Sequence, residues 1–415
     1  VTAPSLATPN GARAAFRSPA FRRYQVARFS SVLGLQMMGV AVGWQIYDLT
    51  RRPLDLGLVG LVQFVPAVML WPLAGVVVDR FDRRRVVMVT MLGIIVTAAL
   101  LSFWASRALP TPAPIYATLV LLAVSRAFAA PAQQALLPQL VPRADFPNAV
   151  TWSSTLFQLG AVVGPALGGG IYALTGGAQG VYLTAMVLVA AAFLAMTTVR
   201  PLEAARPRTP PGLADLFEGV RHVTARPVIL GALSLDLFAV LLGGAVALLP
   251  VFARDELAVG PGGLGVLRAA PAVGAAAMAL LLAHRPVGSR AGRKLLTAVA
   301  VFGVATIVFG LSRSFWLSVA ALAVVGASDE LSVVVRQTIV QIATPDHMRG
   351  RVSAVNFLFI NLSNEIGELE SGLTAHWFGA RRAVVLGGLG TLLVVALTSR
   401  LAPALRDVDR LEDVR

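Results

Sequence analysis

Ionisable side chains inside otherwise apolar runs are the first sign of chemistry in this sequence. Asp329, Glu330 and Arg336 fall in one such run at 315–343, and Asn361, Glu365 and Glu368 in another at 351–376. Arg126 lies within 114–136 and Asp236 within 228–253, each away from the charged segments that bound them. On insertion scales a charge in hydrocarbon costs about 2.5–3.5 kcal/mol, so such residues pair, line a cavity or carry ions. Asp329 and Arg336 are two helical turns apart and share a face. Either one neutralises the other, or Asp329 carries a proton, since burial disfavours a charged carboxylate. Asn361, Glu365 and Glu368 recur at i, i+4 and i+7. That stripe can bind a cation, take protons or pair with Arg268. Tyr47 and Asp48, beside Arg51 and Arg52, form either an external gate or a plain solvated helix end.

The elements that hold these residues must be membrane helices. Hydrophobic residues make up 56% of the chain and charged residues only 13%, against about 25% in a soluble domain. With about 20 apolar residues per span, twelve spans emerge. They lie at 24–49, 56–78, 86–107, 114–136, 147–174, 179–199, 228–253, 262–284, 294–312, 315–343, 351–376 and 382–401. The segment 200–227 breaks the pattern: Arg206, Pro207, Arg208, Pro210 and Pro211 read as a linker. After it, Leu213, Leu216, Phe217 and Val220 share one face of a short interfacial helix. The chain thus divides into 1–199 with six spans, a cytoplasmic linker at 200–227, 228–401 with six more, and a cytoplasmic tail at 402–415. The first span lacks a small-residue cleavage site and is not read as a removable signal.

Several classes are excluded. The net charge of +14 is almost all arginine in short loops between spans, which is a topological signal and not a nucleic-acid patch. There is no cysteine, and the four histidines are too scattered to pair, so neither metal nor cofactor is expected. No phosphate-binding loop and no nucleophile–base pairing is present, so the chain is not read as an enzyme. Arginines before span one, after spans two, eight and ten, and in the linker put those loops and both termini in the cytoplasm.

Between spans two and three runs Gly75-Val-Val-Val-Asp79-Arg80-Phe81-Asp82-Arg83-Arg84-Arg85, a water-facing hairpin. A degraded echo at Gly288-Ser-Arg290-Ala-Gly292-Arg293-Lys294 follows span eight, so the two halves look duplicated, a transporter signature. The first hairpin resembles the loop motif of the major facilitator superfamily, with Asp82 where that motif has glycine. Gly160-Ala-Val-Val-Gly164-Pro165-Ala-Leu-Gly168-Gly169 in span five is similar to the antiporter motif of its exporters. The run Pro131-Ala-Gln-Gln-Ala-Leu-Leu-Pro-Gln-Leu-Val-Pro-Arg143 resembles the branch of enterobactin exporters and macrolide efflux proteins.

The resemblance implies an all-α integral membrane protein of the major facilitator fold, with about twelve transmembrane helices in two pseudo-symmetric halves. It places spans one, four, seven and ten around a central cavity, so that Arg126, Asp236, Asp329, Glu330 and Arg336 line the path. It sets span eleven, with Asn361, Glu365 and Glu368, at the join between halves. Gly75, Asp79, Arg80, Arg83 and Arg84 become a latch against the start of span eleven, or remain a topological anchor. Gly160, Gly164, Pro165 and Gly168 become a packing seal against the other half, or ordinary helix packing. The expected activity is export of an amphipathic small molecule, such as a siderophore, a macrolide-like drug or another secreted metabolite, against inward proton flow. The setting is a monomer in the lipid bilayer of a bacterial inner membrane. The rivals are an importer or lysolipid flippase of the same fold, and a receptor or assembly factor that moves nothing.

Overall fold

The computed structural model describes residues 13–107, 109–202, 213–285, 287–345 and 348–409. Among them there are no strands. The first half is α1 (Pro19–Thr50), α2 (Pro53–Arg80), α3 (Arg83–Ala105), α4 (Ala113–Leu136), α5 (Phe146–Thr175) and α6 (Ala178–Thr197). A linker helix α7 (Leu213–Ala225) leads to α8 (Pro227–Gly243) and the single turn α9 (Leu249–Val251). Then follow α10 (Gly260–His284), α11 (Ala291–Leu311), α12 (Phe315–Ala343), α13 (Arg349–Phe378), α14 (Ala380–Leu401) and the turn α15 (Pro403–Arg406).

Eleven of these stretches are long and apolar enough to cross a membrane. The expected twelfth, α13, is 30 residues long but carries the polar stripe of span eleven; it packs between α2, α8 and α14, within the same bundle. Span seven is not the continuous helix expected. It breaks at Gly243-Gly244, passes through a 3-10 turn at Ala245–Leu248, and ends in a π turn at Phe252–Glu256. Two glycines and Pro250 supply the cause: the glycines add backbone entropy, and the proline cannot donate within a helix. The freed carbonyl of Gly244 accepts from the Ser371 hydroxyl of α13 at 2.9 Å.

Both described chain ends lie on one face of the bundle, called proximal here. Arg23 of α1 and Arg84 of α3 both donate to carbonyls at the end of α6, which ties those three helix ends to that face. The core has two parts. One cluster runs through the first half and continues into the distal ends of the second, including Leu249, Phe252, Leu264 and Val384. The other is confined to the proximal part of the second half, with Ile229, Leu295, Ile339, Val352 and Leu405. The halves therefore share apolar packing at the distal face.

Small residues bring the backbones together there. On α2, a Cβ at Gly57 would lie 3.0 Å from the Glu368 carbonyl oxygen of α13, and one at Gly60 would meet the Glu368 carboxylate at 2.7 Å. On α5, a Cβ at Gly169 would lie 2.5 Å from Pro261 O and 2.8 Å from the Gly265 Cα of α10. These contacts sit in the distal part of each helix. At the proximal end, Gly75 of α2 and Gly350 of α13 both face open space.

The two hairpins are capped differently. Asp82 accepts the Arg85 backbone N–H at 3.1 Å and so caps α3, which accounts for aspartate at a position where the resembled motif has glycine. At the start of α11, Arg290 offers no side-chain cap and adopts a left-handed φ of 60°. The cap comes from the tail instead. The Asp409 carboxylate accepts from Arg290 N at 2.9 Å, its carbonyl accepts from Ala291 N at 2.9 Å, and Val408 O accepts from Gly292 N at 3.1 Å. Beside them, a hydrogen bond from Arg406 holds the Asp407 carboxyl below the usual carboxylate range.

The linker helix α7 rests on the start of α13, through Gly219 against Arg351 and an ion pair of Glu218 with Arg351 at 2.8 Å. Val223 is buried, whereas Phe217 is exposed, as an interfacial helix requires. Arg206, Pro207, Arg208, Pro210, Pro211, His347 and the tail beyond 409 lie outside the described residues, as do the side chains of Leu213 and Leu216.

Gly169→Ala should destabilise the protein by about 1–3 kcal/mol through overpacking, seen as a lower unfolding temperature in detergent. Its neighbour Gly170 faces open space, so Gly170→Ala should be neutral or raise stability by about 0.5–1 kcal/mol. Equal effects at both positions would deny the close approach of α5 and α10. Asp82→Ala and Asp409→Ala should each cost about 1 kcal/mol, and the double variant their sum, because the caps lie in different halves.

Candidate functional site

The expected site residues separate into two clusters. The first lies between the halves. Arg126 of α4 donates to the Gln63 side chain of α2 at 3.0 Å. It is within electrostatic reach of Glu365 and Glu368 on α13. Glu368 also interacts with Arg268 of α10. Arg268 in turn crosses to the first half and donates to Gly39 O of α1 at 3.2 Å. Gly39 leaves the space for this guanidinium, since a Cβ there would lie 3.3 Å from its Nη2. Glu368 thus lies within electrostatic reach of an arginine from each half, with Glu365 beside it.

The second cluster belongs to the second half alone. Arg336 of α12 pairs with Asp236 of α8 at 3.1 Å and donates its other terminal nitrogen to Asn356 of α13 at 2.7 Å. The expected Asp329–Arg336 neutralisation is not what forms, because Asp236 holds the guanidinium. Asp329 lines a chamber with Asp236, Ser328 and Ser332, and Glu330 beside it is half-buried. Arg126 is bonded to Gln63 and interacts with the α13 glutamates, so it does not serve as the partner of Asp236, Asp329 or Glu330. Asn361 lies on α13, with its side chain outside the described residues.

At the distal face a clasp joins the halves. Asp48 of α1 pairs with Arg254 of the π turn, and Asp255 takes Arg51 at 3.6 Å and the Tyr47 hydroxyl. Arg254 also stacks over the Trp44 ring at 5.4 Å. Glu256 pairs with Arg381 at the start of α14. Asp48 and Arg51 are thus partly solvated and, with Tyr47, at the same time bonded across to the other half. Arg254 and Asp255 fall just past 253, the expected end of span seven, and so were not among the expected site residues. Gln63 was missed as well, although a lone amide in an apolar span is a visible signal.

The hairpin residues behave differently from one another. Asp79 makes no hydrogen bond or ion pair with a described residue, and Arg80 is exposed. Arg83 donates to Ala135 O at 3.4 Å, while Arg84 donates to Met196 O at 3.1 Å and to Thr197 O. These two arginines therefore bind helix ends within their own half, where cations suit the exposed carbonyls. The glycine face of α5 also needs correction. Gly160, Gly164 and Gly168 pack on Val32, Gln36 and Met37 of α1, in the same half, because that face turns inward. Residues of α5 that meet the other half include Pro165, whose carbonyl lies 2.6 Å from a Cβ built on Gly265, and Gly169.

Comparison with known proteins agrees with this architecture. The family model described as transmembrane secretion effector matches residues 10–413. Enterobactin exporter EntS of Shigella boydii serotype 18 is 28% identical over 393 residues, covering 90% of this chain and 86% of the relative. EntS of Escherichia coli O139:H28 matches to the same extent. Among solved structures, an inward-facing, unoccupied bacterial homologue of the human lysosomal transporter Spinster superposes with a TM-score of 0.73 at 15% identity, covering 93% of this chain and 98% of that one. A transporter of the POT family in complex with 5-aminolevulinic acid gives 0.75 at 10% identity, covering 94% and 97%. With one family model spanning nearly its whole length, this multi-pass membrane chain belongs to the transmembrane secretion effector family of major facilitator transporters.

Proposed function

We propose that the protein exports an amphipathic small molecule across the inner membrane of a bacterium, driven by inward proton movement. One observation carries the reading: charges from both halves meet between them, at Arg126, Arg268, Glu365 and Glu368, while the described polar bridges lie toward the distal side. Rocking the halves must break or remake those contacts, so ligand and proton occupancy can bias the motion. The proximal face carries the arginine-rich loops and is assigned to the cytoplasm, with both termini, by the positive-inside rule. Substrate then enters from inside. The EntS relatives favour export, and a siderophore, a macrolide-like drug or another secreted metabolite is the substrate class. Nothing in the cycle needs a second copy, so the protein is read as a monomer.

Asp79 and Arg80 stand free of described partners in the conformation seen. In the opposite conformation the start of α13 would close on them, and its unpaired N–H groups would receive the Asp79 carboxylate. The distal clasp would then open. Pro165 and Gly169 would act as the seal on α5, with Gly160, Gly164 and Gly168 keeping α1 and α5 together as one moving body.

Energised inside-out vesicles test this reading. Adding a catecholate siderophore or an amphipathic drug from a panel should collapse part of ΔpH in wild-type vesicles and not in empty-vector ones. Arg126→Ala and Glu365→Gln should abolish the response. Binding of a panel member without any ΔpH change would sink proton coupling, and uptake seen only in right-side-out vesicles would make the protein an importer. For the clasp, Asp48→Arg should slow transport about two- to fivefold, the effect of about 0.5–1 kcal/mol in an exposed pair. Adding Arg254→Asp should restore part of the rate. No rescue in the double variant would remove the clasp from the cycle.

A further inference from the structure

We propose that the second half holds its own one-proton site, with Asp329 as the acceptor and the Asp236–Arg336 pair as fixed counter-charge. It is separate from the charges that join the halves. The transport reading above gives the site its purpose, and its chemistry stands without that reading.

The site is a chamber between α8, α11 and α12 of about 10 Å³, room for about one water. Asp236, Asp329, Ser328 and Ser332 supply its polar wall, and Val299 and Phe302 close it from α11. The charged groups around Asp329 are few. Asp236 comes from α8, and Arg336 and Glu330 come from α12 itself. From α13, Asn356 meets the guanidinium. On its other side α12 packs on α10 through small residues: a Cβ on Gly274 would lie 1.8 Å from Ala323 O, and one on Gly326 would lie 1.9 Å from Pro271 O. The arginine of α10, Arg268, turns away to Gly39 of α1.

Charge balance sets the number of protons. Two carboxylates line the chamber, and one guanidinium, only 2% exposed, pairs with Asp236 and faces Asp329 at longer range; Glu330 does not line the chamber and stays outside this balance. With both acids ionised, one negative charge remains uncompensated in a site with room for about one water, where Asp329 is half-buried and Asp236 buried. One added proton makes the group neutral. A second would take the counter-ion from Arg336 and leave a buried positive charge, because arginine does not deprotonate in proteins. The site therefore exchanges one proton.

Geometry decides where that proton sits. Asp236 is held by Arg336 at 3.1 Å, whereas Asp329 makes no hydrogen bond or ion pair with a described residue. The Nε of Arg336 is also buried without an acceptor among the described residues, a second sign that this polar group is built around something beyond its own side chains. In the step itself, a hydronium ion gives its proton to a carboxylate oxygen of Asp329. One O–H bond forms there, one breaks in hydronium, and water leaves. A sodium ion carries the same charge, but it would stand beside Arg336 in a chamber with apolar walls on α11.

The test needs no substrate. Full-length protein in proteoliposomes is acidified while infrared difference spectra are recorded. The wild type should show a protonated-carboxyl C=O component that is lost in Asp329→Asn. That component should return, shifted, in Asp329→Glu and persist when Glu365→Gln and Glu368→Gln are combined. Its persistence in Asp329→Asn, or its loss only in the double glutamate variant, overturns the assignment. Sodium abolishing the component at fixed pH would mark a sodium site and overturn it too. Where Asp329→Asn does not fold, Asp329→Glu decides, and an unshifted band there sinks the proposal. Failure of the export reading leaves this result standing. Conversely, a transported compound whose ΔpH response survives Asp329→Asn would remove the site and leave export intact.

Discussion

A charge inside a bilayer needs a counter-charge, and in this protein few of those counter-charges lie on the same helix. That constraint organises much of the molecule. Arg336 on α12 is satisfied by Asp236 on α8 and Asn356 on α13, so three helices of the second half are pinned together by one side chain. Arg126 and Arg268 act on the same glutamate of α13, Glu368, from opposite halves. Removing one member of such a set leaves the others uncompensated, which costs more than the pairing itself contributes. These helices cannot shift independently without leaving a charge bare.

Close backbone contact supplies the complementary constraint. Gly57 and Gly60 against α13, and Gly169 against Gly265, allow the helices of the two halves to touch main chain to main chain near the distal face. Toward the other face the spacing opens, and the apolar core of the second half becomes a cluster of its own. Ion pairs with Arg254 and Asp255 reinforce the joined end, where partial exposure to water keeps each of them weak and reversible. The halves are thus joined at one end by backbone contact, shared apolar packing and weak ion pairs, while the proximal part of the second half keeps a core of its own.

Much of the fold was legible because hydrocarbon leaves little choice. Apolar length located the helices, and in span ten the expected limits, 315–343, are those of α12. Reading failed where the backbone departed from a plain helix. Gly243-Gly244 and Pro250 stand in the sequence of span seven, yet an unbroken apolar run hid the change of geometry they cause. The candidate site was half legible. Unusual residues in apolar runs identified Arg126, Asp236, Asp329 and Glu365, but partner choice depends on rotation about helix axes. Arg336 therefore took Asp236 and not Asp329, which spacing alone would favour. The glycines of α5 show the same limit: a repeat of four fixed their common face but not which neighbour that face meets.

The tail that caps α11 has a consequence for biosynthesis. In the first half the hairpin carries its own cap, since Asp82 stands three residues from the amide it serves. In the second half the capping carboxylate, Asp409, follows Arg290 by 119 residues. A chain emerging from the ribosome can thus complete the first hairpin as soon as it is made, while the second waits until α12, α13 and α14 have been inserted. Domains fold in order of synthesis, N-terminal first. Here the return of the tail makes closing the second half one of the late events of assembly, and it ties correct insertion of every intervening helix to the finishing of a single turn.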